Sequence, residues 1–187
     1  MKGPLVNSFI AASRFFVDAV AGVPLERYEE RWSAEWRVLD LIAHGNRANA
    51  LPVEYFDRPV AIAGPDYVSP ENIAERGRRA VEDLGPDPVA GVRASSQRVI
   101  AMVEAAPDDA TVGTPFGIQA LDAYLRSRTA ELVLHGLDLG TDVEPPSDAL
   151  RQCGEFLVDT AVNAGRGVDI VRALTGRGAL PLGFNVY

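Results

Sequence analysis

The chain is poor in the residues that usually build metal and redox sites. Its 187 residues include two histidines, His44 and His135, and one cysteine, Cys153. A single cysteine closes no internal disulfide, so the fold must rest on its core, and the expected compartment is the reducing cytoplasm. Lysine is almost missing, Lys2 being the one example. Lys plus Arg total 18 against 26 Asp plus Glu, a formal net charge of −8. This balance argues against a phosphate-binding surface, because nucleic-acid affinity is drawn largely from clustered cations. No nucleic-acid partner is expected. No uninterrupted apolar run approaches the roughly 20 residues of a spanning helix. The opening MKGPLVNSFIAASRFF also lacks the apolar length and cleavage pattern of a secretory signal. The expectation is therefore a soluble protein without a membrane partner. Internal repeats, low-complexity tracts and glycine-rich phosphate loops are absent as well.

What is present is helical periodicity. At 47% hydrophobic residues the chain can bury a core without staples, and its length predicts one domain over 1–187. Leu5, Phe9, Ile10, Phe16, Val17 and Val20 recur at spacings of three and four, predicting a core-facing helix from Pro4 to about Val23. Ser33 is a candidate cap for a second helix carrying WRVLDLIAHGNRAN. Four prolines between Leu51 and Pro70 break the period, so that stretch reads as a long connection, a candidate lid or rim. Ser69-Pro70-Glu71 is a helix start, with the helix running to about Leu84. Val92, Val99, Ile100 and Val103 mark another helix before Pro107, and Gly117 to Leu139 reads as one long helix without internal proline. Ser147 opens a last helix to about Ala164, followed by a turn and an irregular tail. The chain reads as an all-α bundle over about 4–142 with a C-terminal helix and tail at 147–187.

The long helix carries the chemistry. Residues three and four apart share a helix face, with Cβ atoms about 5–6 Å apart. That spacing collects Tyr124, Arg128, Glu131, His135 and Asp138 on one stripe, while leucines occupy the other faces. A helix apolar nearly all round directs its polar stripe inward. Asp40, His44 and Arg47 form a similar stripe on the second helix. Facing helices of a bundle build metal sites from such stripes. Glu131 and His135 can reach one ion, with His44 as third ligand, leaving open positions for water or substrate. The same spacing also suits exposed Glu–His and Asp–His pairs worth about 0.2–0.5 kcal/mol. Spacing alone leaves both readings open.

The segment Trp36 to His44 resembles the W-x3-D-L-x-A-H stretch of the mycothiol-dependent maleylpyruvate isomerase family. Arg128 to Asp138 resembles that family's R-x2-E-x3-H-x2-D stretch. The resemblance covers roughly Leu5 to Asp142 and implies a DinB/YfiT-like four-helix bundle. It implies a divalent ion, usually taken as zinc, at His44, Glu131 and His135; nickel, manganese or iron(II) suit the same donors. It further implies a low-molecular-weight thiol, mycothiol or similar, as cosubstrate, with a small electrophile as the second reactant. Isomerases of the family carry a further α/β domain after the bundle. The residues following His135 suffice only for a helix and a tail, which puts maleylpyruvate itself in doubt as substrate.

The leading expectation is thiol S-transfer or thiol-assisted isomerisation. Arg128 would bind an acidic group or pair with Glu131, and Asp138 and Asp40 would orient imidazole N–H groups. Arg177 could lend a cation from the tail. Metal-dependent hydrolysis is an alternative, although no general base stands out. A non-catalytic ligand-binding bundle is another. A homodimer is expected.

Overall fold

The computed structural model describes residues 3–56, 58–60 and 62–186. The elements are α1 (Pro4–Ala21), α2 (Val38–Tyr55), α3 (Pro70–Leu84), α4 (Pro88–Ala105), β1 (Thr111–Thr114), β2 (Gly117–Ala120), α5 (Leu121–Asp138), α6 (Ser147–Asn163) and α7 (Gly167–Leu174). Helix α1 packs on α5 and α4, and α2 packs on α5 and α4, so these four close a ring. This is a helical bundle of the kind the resemblance implies. Helix α3 lies outside the ring on α2 and α4, while α6 covers α5 and α1.

The period of α1 predicts its packing. Phe9, Phe16 and Val20 are fully buried, and Val6 and Val17 nearly so. By length and composition α1 is apolar enough to cross a membrane, closer than the absence of an uninterrupted apolar run suggests. Here that apolar face is taken up by the bundle. At its middle, Ser13 donates to Asn49 Oδ1 at 2.8 Å and shares a 2.7 Å bond with Ser96. These buried bonds join α1 to α2 and α4, fixing register in a way leucines alone do not.

Four local expectations change. Ser33 does not cap α2; its Oγ accepts from the backbone N–H groups of Glu35 and Trp36 in a turn before the helix. The helix starts at Val38, where Asp40 accepts from the Arg37 backbone N–H at 2.9 Å and from the Nε and Nη2 of its guanidinium at 3.0 Å each. At its far end α2 runs through Pro52 to Tyr55. The hydrogen bond lost at proline is offset by burying Leu51, Pro52 and Tyr55. The predicted connection is thereby shortened, and it contains a 3-10 turn at Pro65–Val68.

The third change concerns the start of the long helix. Gly117 to Ala120 is strand β2, paired antiparallel with β1 in the register Thr111↔Ala120 to Thr114↔Gly117. Gly117 turns the hairpin at φ +122°, which favours glycine. Thr114 Oγ1 donates to the Gly117 carbonyl at 2.8 Å and accepts from the Phe116 N–H. Lastly, the predicted turn and tail contain α7, whose residues are all at least partly exposed.

Candidate metal centre

Each histidine sits beside a glycine that lets helices close around it. A Cβ on Gly45 would lie 2.6 Å from Phe16 Cζ and 3.1 Å from the Cβ of His135. A Cβ on Gly136 would run into the Phe15 ring. Consecutive phenylalanines of α1 thus fill two notches, one next to His44 and one next to His135, and bring α2 against α5. The repeated His-Gly pair, at 44–45 and 135–136, is the sequence signal for this arrangement, legible only once the histidines are paired.

The result is a cluster of three donors. Ligand-type atoms of His44, Glu131 and His135 all lie within 4.8 Å of one another. The two imidazoles meet edge to face, with centroids 5.0 Å apart. Glu131 Oε2 lies 3.0 Å from His135 Nε2, and Asp138 Oδ2 lies 3.3 Å from His135 Nδ1. Both Glu131 and His135 retain less than a fifth of their side-chain surface.

The two imidazoles differ in proton affinity. Burial pushes His44 down to about 4, and neighbouring His135 adds to the effect. This keeps His44 neutral, the state a metal ligand needs. Burial works against the proton on His135 too, but hydrogen bonds to Asp138 and Glu131 outweigh it and raise the group to about 9. His44 Nδ1 is buried without a hydrogen-bond partner among the described residues. Buried polar atoms are normally satisfied, so this orphan fits a ring awaiting a partner.

The surroundings orient the cluster. Trp36 lies against His44 with ring centroids 4.5 Å apart. Gly77 on α3 leaves room for that indole, since a Cβ there would come within 3.2 Å of it. Arg128 has Nη2 3.7 Å from Glu131 Oε1, donates through Nε to Ser127 Oγ at 3.3 Å, and lies over the Tyr124 ring at 5.1 Å. Asp40 does not orient His44 as expected; its carboxylate is taken up by Arg37. Arg177 is exposed and lies outside the lining of the cavity beside the cluster. Cys153 is buried on α6, where burial pushes its thiol up to about 11. That removes it as a nucleophile near neutrality.

His44 and Glu131 open onto a cavity of about 290 Å³. Sequence reasoning missed most of its wall. Tyr55 and Tyr67 line it with their hydroxyls 3.4 Å apart, Arg76 stacks 4.1 Å above the Tyr67 ring, and Phe116 from the hairpin turn meets that ring edge-on. The Ala63 N–H donates to the Pro115 carbonyl at 3.0 Å, tying the connection to the hairpin. Length and proline content flagged the connection as a lid or rim, but only the hairpin supplies its partner.

No curated protein and no solved structure matches the chain. The family model of the mycothiol maleylpyruvate isomerase N-terminal domain matches residues 11–140, a span that contains His44, Glu131 and His135. The chain belongs to that family.

Proposed function

We propose that this family member is a metal-dependent enzyme that uses a low-molecular-weight thiol of the mycothiol type. It would carry out S-transfer to a small electrophile or its thiol-assisted isomerisation. The observation that carries the reading is the convergence of His44, Glu131 and His135 into one donor cluster, of which His44 and Glu131 line a small cavity. His44, Glu131 and His135 would hold a divalent ion, zinc being the first candidate. Such an ion favours the thiolate of a coordinated thiol, the nucleophilic form. The chain's own residues supply the rest. His44 enters neutral, Asp138 holds the His135 ring in position, and Arg128 sets Glu131 from the other side. Tyr124, buried beneath Arg128, closes the cavity floor and helps exclude water from the electrophile. Cys153, buried on α6, leaves the nucleophile to a thiol from outside.

The deciding experiment measures metal content of gently purified protein and of His44→Ala and Glu131→Ala. One equivalent of metal in the parent and its loss in both variants is expected. Thiol-dependent consumption of an electrophile such as 1-chloro-2,4-dinitrobenzene or maleylpyruvate should follow the metal. Metal-free parent protein, or turnover indifferent to thiol, rules the reading out.

A further inference from the structure

We propose that the cavity beside the three-donor cluster selects a ligand built on one flat, unsaturated ring, and that Phe116 sets this selection. The inference rests on reading this cavity as the site of the electrophile. Phenylalanine, tryptophan and tyrosine make up only 7% of the chain. Yet three of its five tyrosines, Tyr55, Tyr67 and Tyr124, stand in this one wall together with Phe116. They come from α2, the 3-10 turn, α5 and the hairpin turn, so no single helix period accounts for the gathering.

The rings form a frame around open space. Tyr55 and Tyr124 have centroids 6.1 Å apart, Tyr67 and Phe116 meet edge to face at 5.7 Å, and the hydroxyls of Tyr55 and Tyr67 join the two pairs at 3.4 Å. Arg76 stacks on the Tyr67 ring and Arg128 on the Tyr124 ring, at 4.1 and 5.1 Å, so the frame is held before a ligand arrives. The space is about 290 Å³. An apolar cavity of roughly 150 Å³ already takes up benzene, so one substituted ring fits here. Phe116 stands apart in its burial. Tyr55 and Tyr124 are each 6% exposed, whereas Phe116 leaves 65% of its surface in water. The turn it sits on is made by Gly117 and Thr114, so turn geometry does not account for a phenylalanine there. Apolar surface at a cavity rim gains free energy when a ligand covers it. A flat ring gains more than an alkyl group, because edge-to-face and offset contacts between rings add to the area buried.

Benzyl alcohol and cyclohexylmethanol carry the same hydroxymethyl group, one on a flat ring and the other on a puckered one. Titrating each into nitrogen-15-labelled protein of measured metal content, followed at the Phe116 and Tyr124 amide signals, separates ring contacts from simple burial. The parent should bind benzyl alcohol about two- to tenfold more tightly, the range for ring contacts beyond their buried area. Phe116→Leu keeps an apolar side chain and should lose that preference while melting with the parent. Ile118→Ala alters the same hairpin at a residue 70% exposed and outside the cavity lining, and should keep the preference. Cyclohexylmethanol that binds the parent as tightly as benzyl alcohol overturns the proposal, as does failure of both to bind. So does a Phe116→Leu protein that keeps the preference, or an Ile118→Ala protein that loses it equally. Preference for benzyl alcohol in parent protein that holds no metal would leave this inference standing and remove the metal-dependent function. Metal with no preference between the two alcohols would do the reverse.

Discussion

His44 and His135 are the same residue type, 5.0 Å apart between ring centroids, yet one is pushed down to about 4 and the other up to about 9. The difference comes from their neighbours: His44 lies against Trp36 with an Nδ1 that has no partner among the described residues, whereas His135 stands between Glu131 and Asp138. Outer partners of metal-bound histidines typically matter 10- to 100-fold in affinity. Asp138→Asn should accordingly weaken zinc binding by roughly that factor while leaving helix content unchanged, read by competition with a chromophoric chelator. Asp40 obeys a separate logic. Burial would raise its carboxyl, but the Arg37 guanidinium and backbone N–H together hold it below the ordinary range. A depressed carboxylate stabilises the fold above its unfolded pKa of about 4, and that contribution is lost as pH falls through the lower folded value. Asp40→Asn should cost about 1–2 kcal/mol at neutral pH, the order of a lost charged hydrogen bond at a half-exposed partner. The gap to the parent should narrow on acidification below about pH 4 in urea melts. A constant gap would place the effect in packing instead.

At the scale of elements, glycine notches decide how closely α2 and α5 approach. Gly45→Ala puts a methyl group 2.6 Å from Phe16 Cζ and 3.1 Å from the His135 Cβ. Overpacking of this kind costs about 1–3 kcal/mol, and here the strain is relieved by parting the two helices that carry the donors. Gly45→Ala should lower both the melting temperature and zinc affinity. Gly154→Ala on α6 is the control, since nothing lies within 4 Å of its added Cβ; helix propensity predicts it neutral or stabilised by about 0.5–1 kcal/mol. The notches also mark how far the fold can be read from the chain. The three-four spacing of Phe9, Phe16 and Val20 was enough for α1, and Ser69-Pro70 was enough for the start of α3, because those signals are local. Helix α2 runs past Pro52 because tertiary burial of Tyr55 overrides a local breaker. Strand β2 was hidden inside a helical pattern, since Gly117–Ala120 is defined by its pairing with Thr111–Thr114. The spacing of Glu131 and His135 left a solvated pair as an open reading. Only the approach of His44 from α2 distinguishes a three-donor cluster, and that approach depends on Phe15 and Phe16, far away in sequence.

At the scale of the whole molecule, the cluster ties together two ring helices whose donors are more than eighty residues apart in the chain, His44 on α2 and His135 on α5. An ion held there would bind the folded bundle and find no assembled site in the unfolded chain, so its binding energy adds to folding energy. At a hundredfold excess over its dissociation constant the gain is about 2.7 kcal/mol, equivalent to a rise of roughly 5–10 °C for a chain of this size. The ring itself rests on α1, whose buried apolar face touches α4, α5 and α6, so the bundle should fold without metal and simply melt lower. Zinc should therefore raise the melting temperature of the parent by that amount, and a chelator should reverse the rise. His44→Ala should melt at one temperature with or without zinc, because no third histidine exists to replace it. Helix α7 offers the complementary test of where stability resides. None of its residues is buried, so removing residues 166–187 should shift the parent's melting temperature little and leave the zinc-dependent rise intact. A zinc response that vanished with α7 would move the stabilising site away from the α2–α5 seam, and with it the chemistry assigned there.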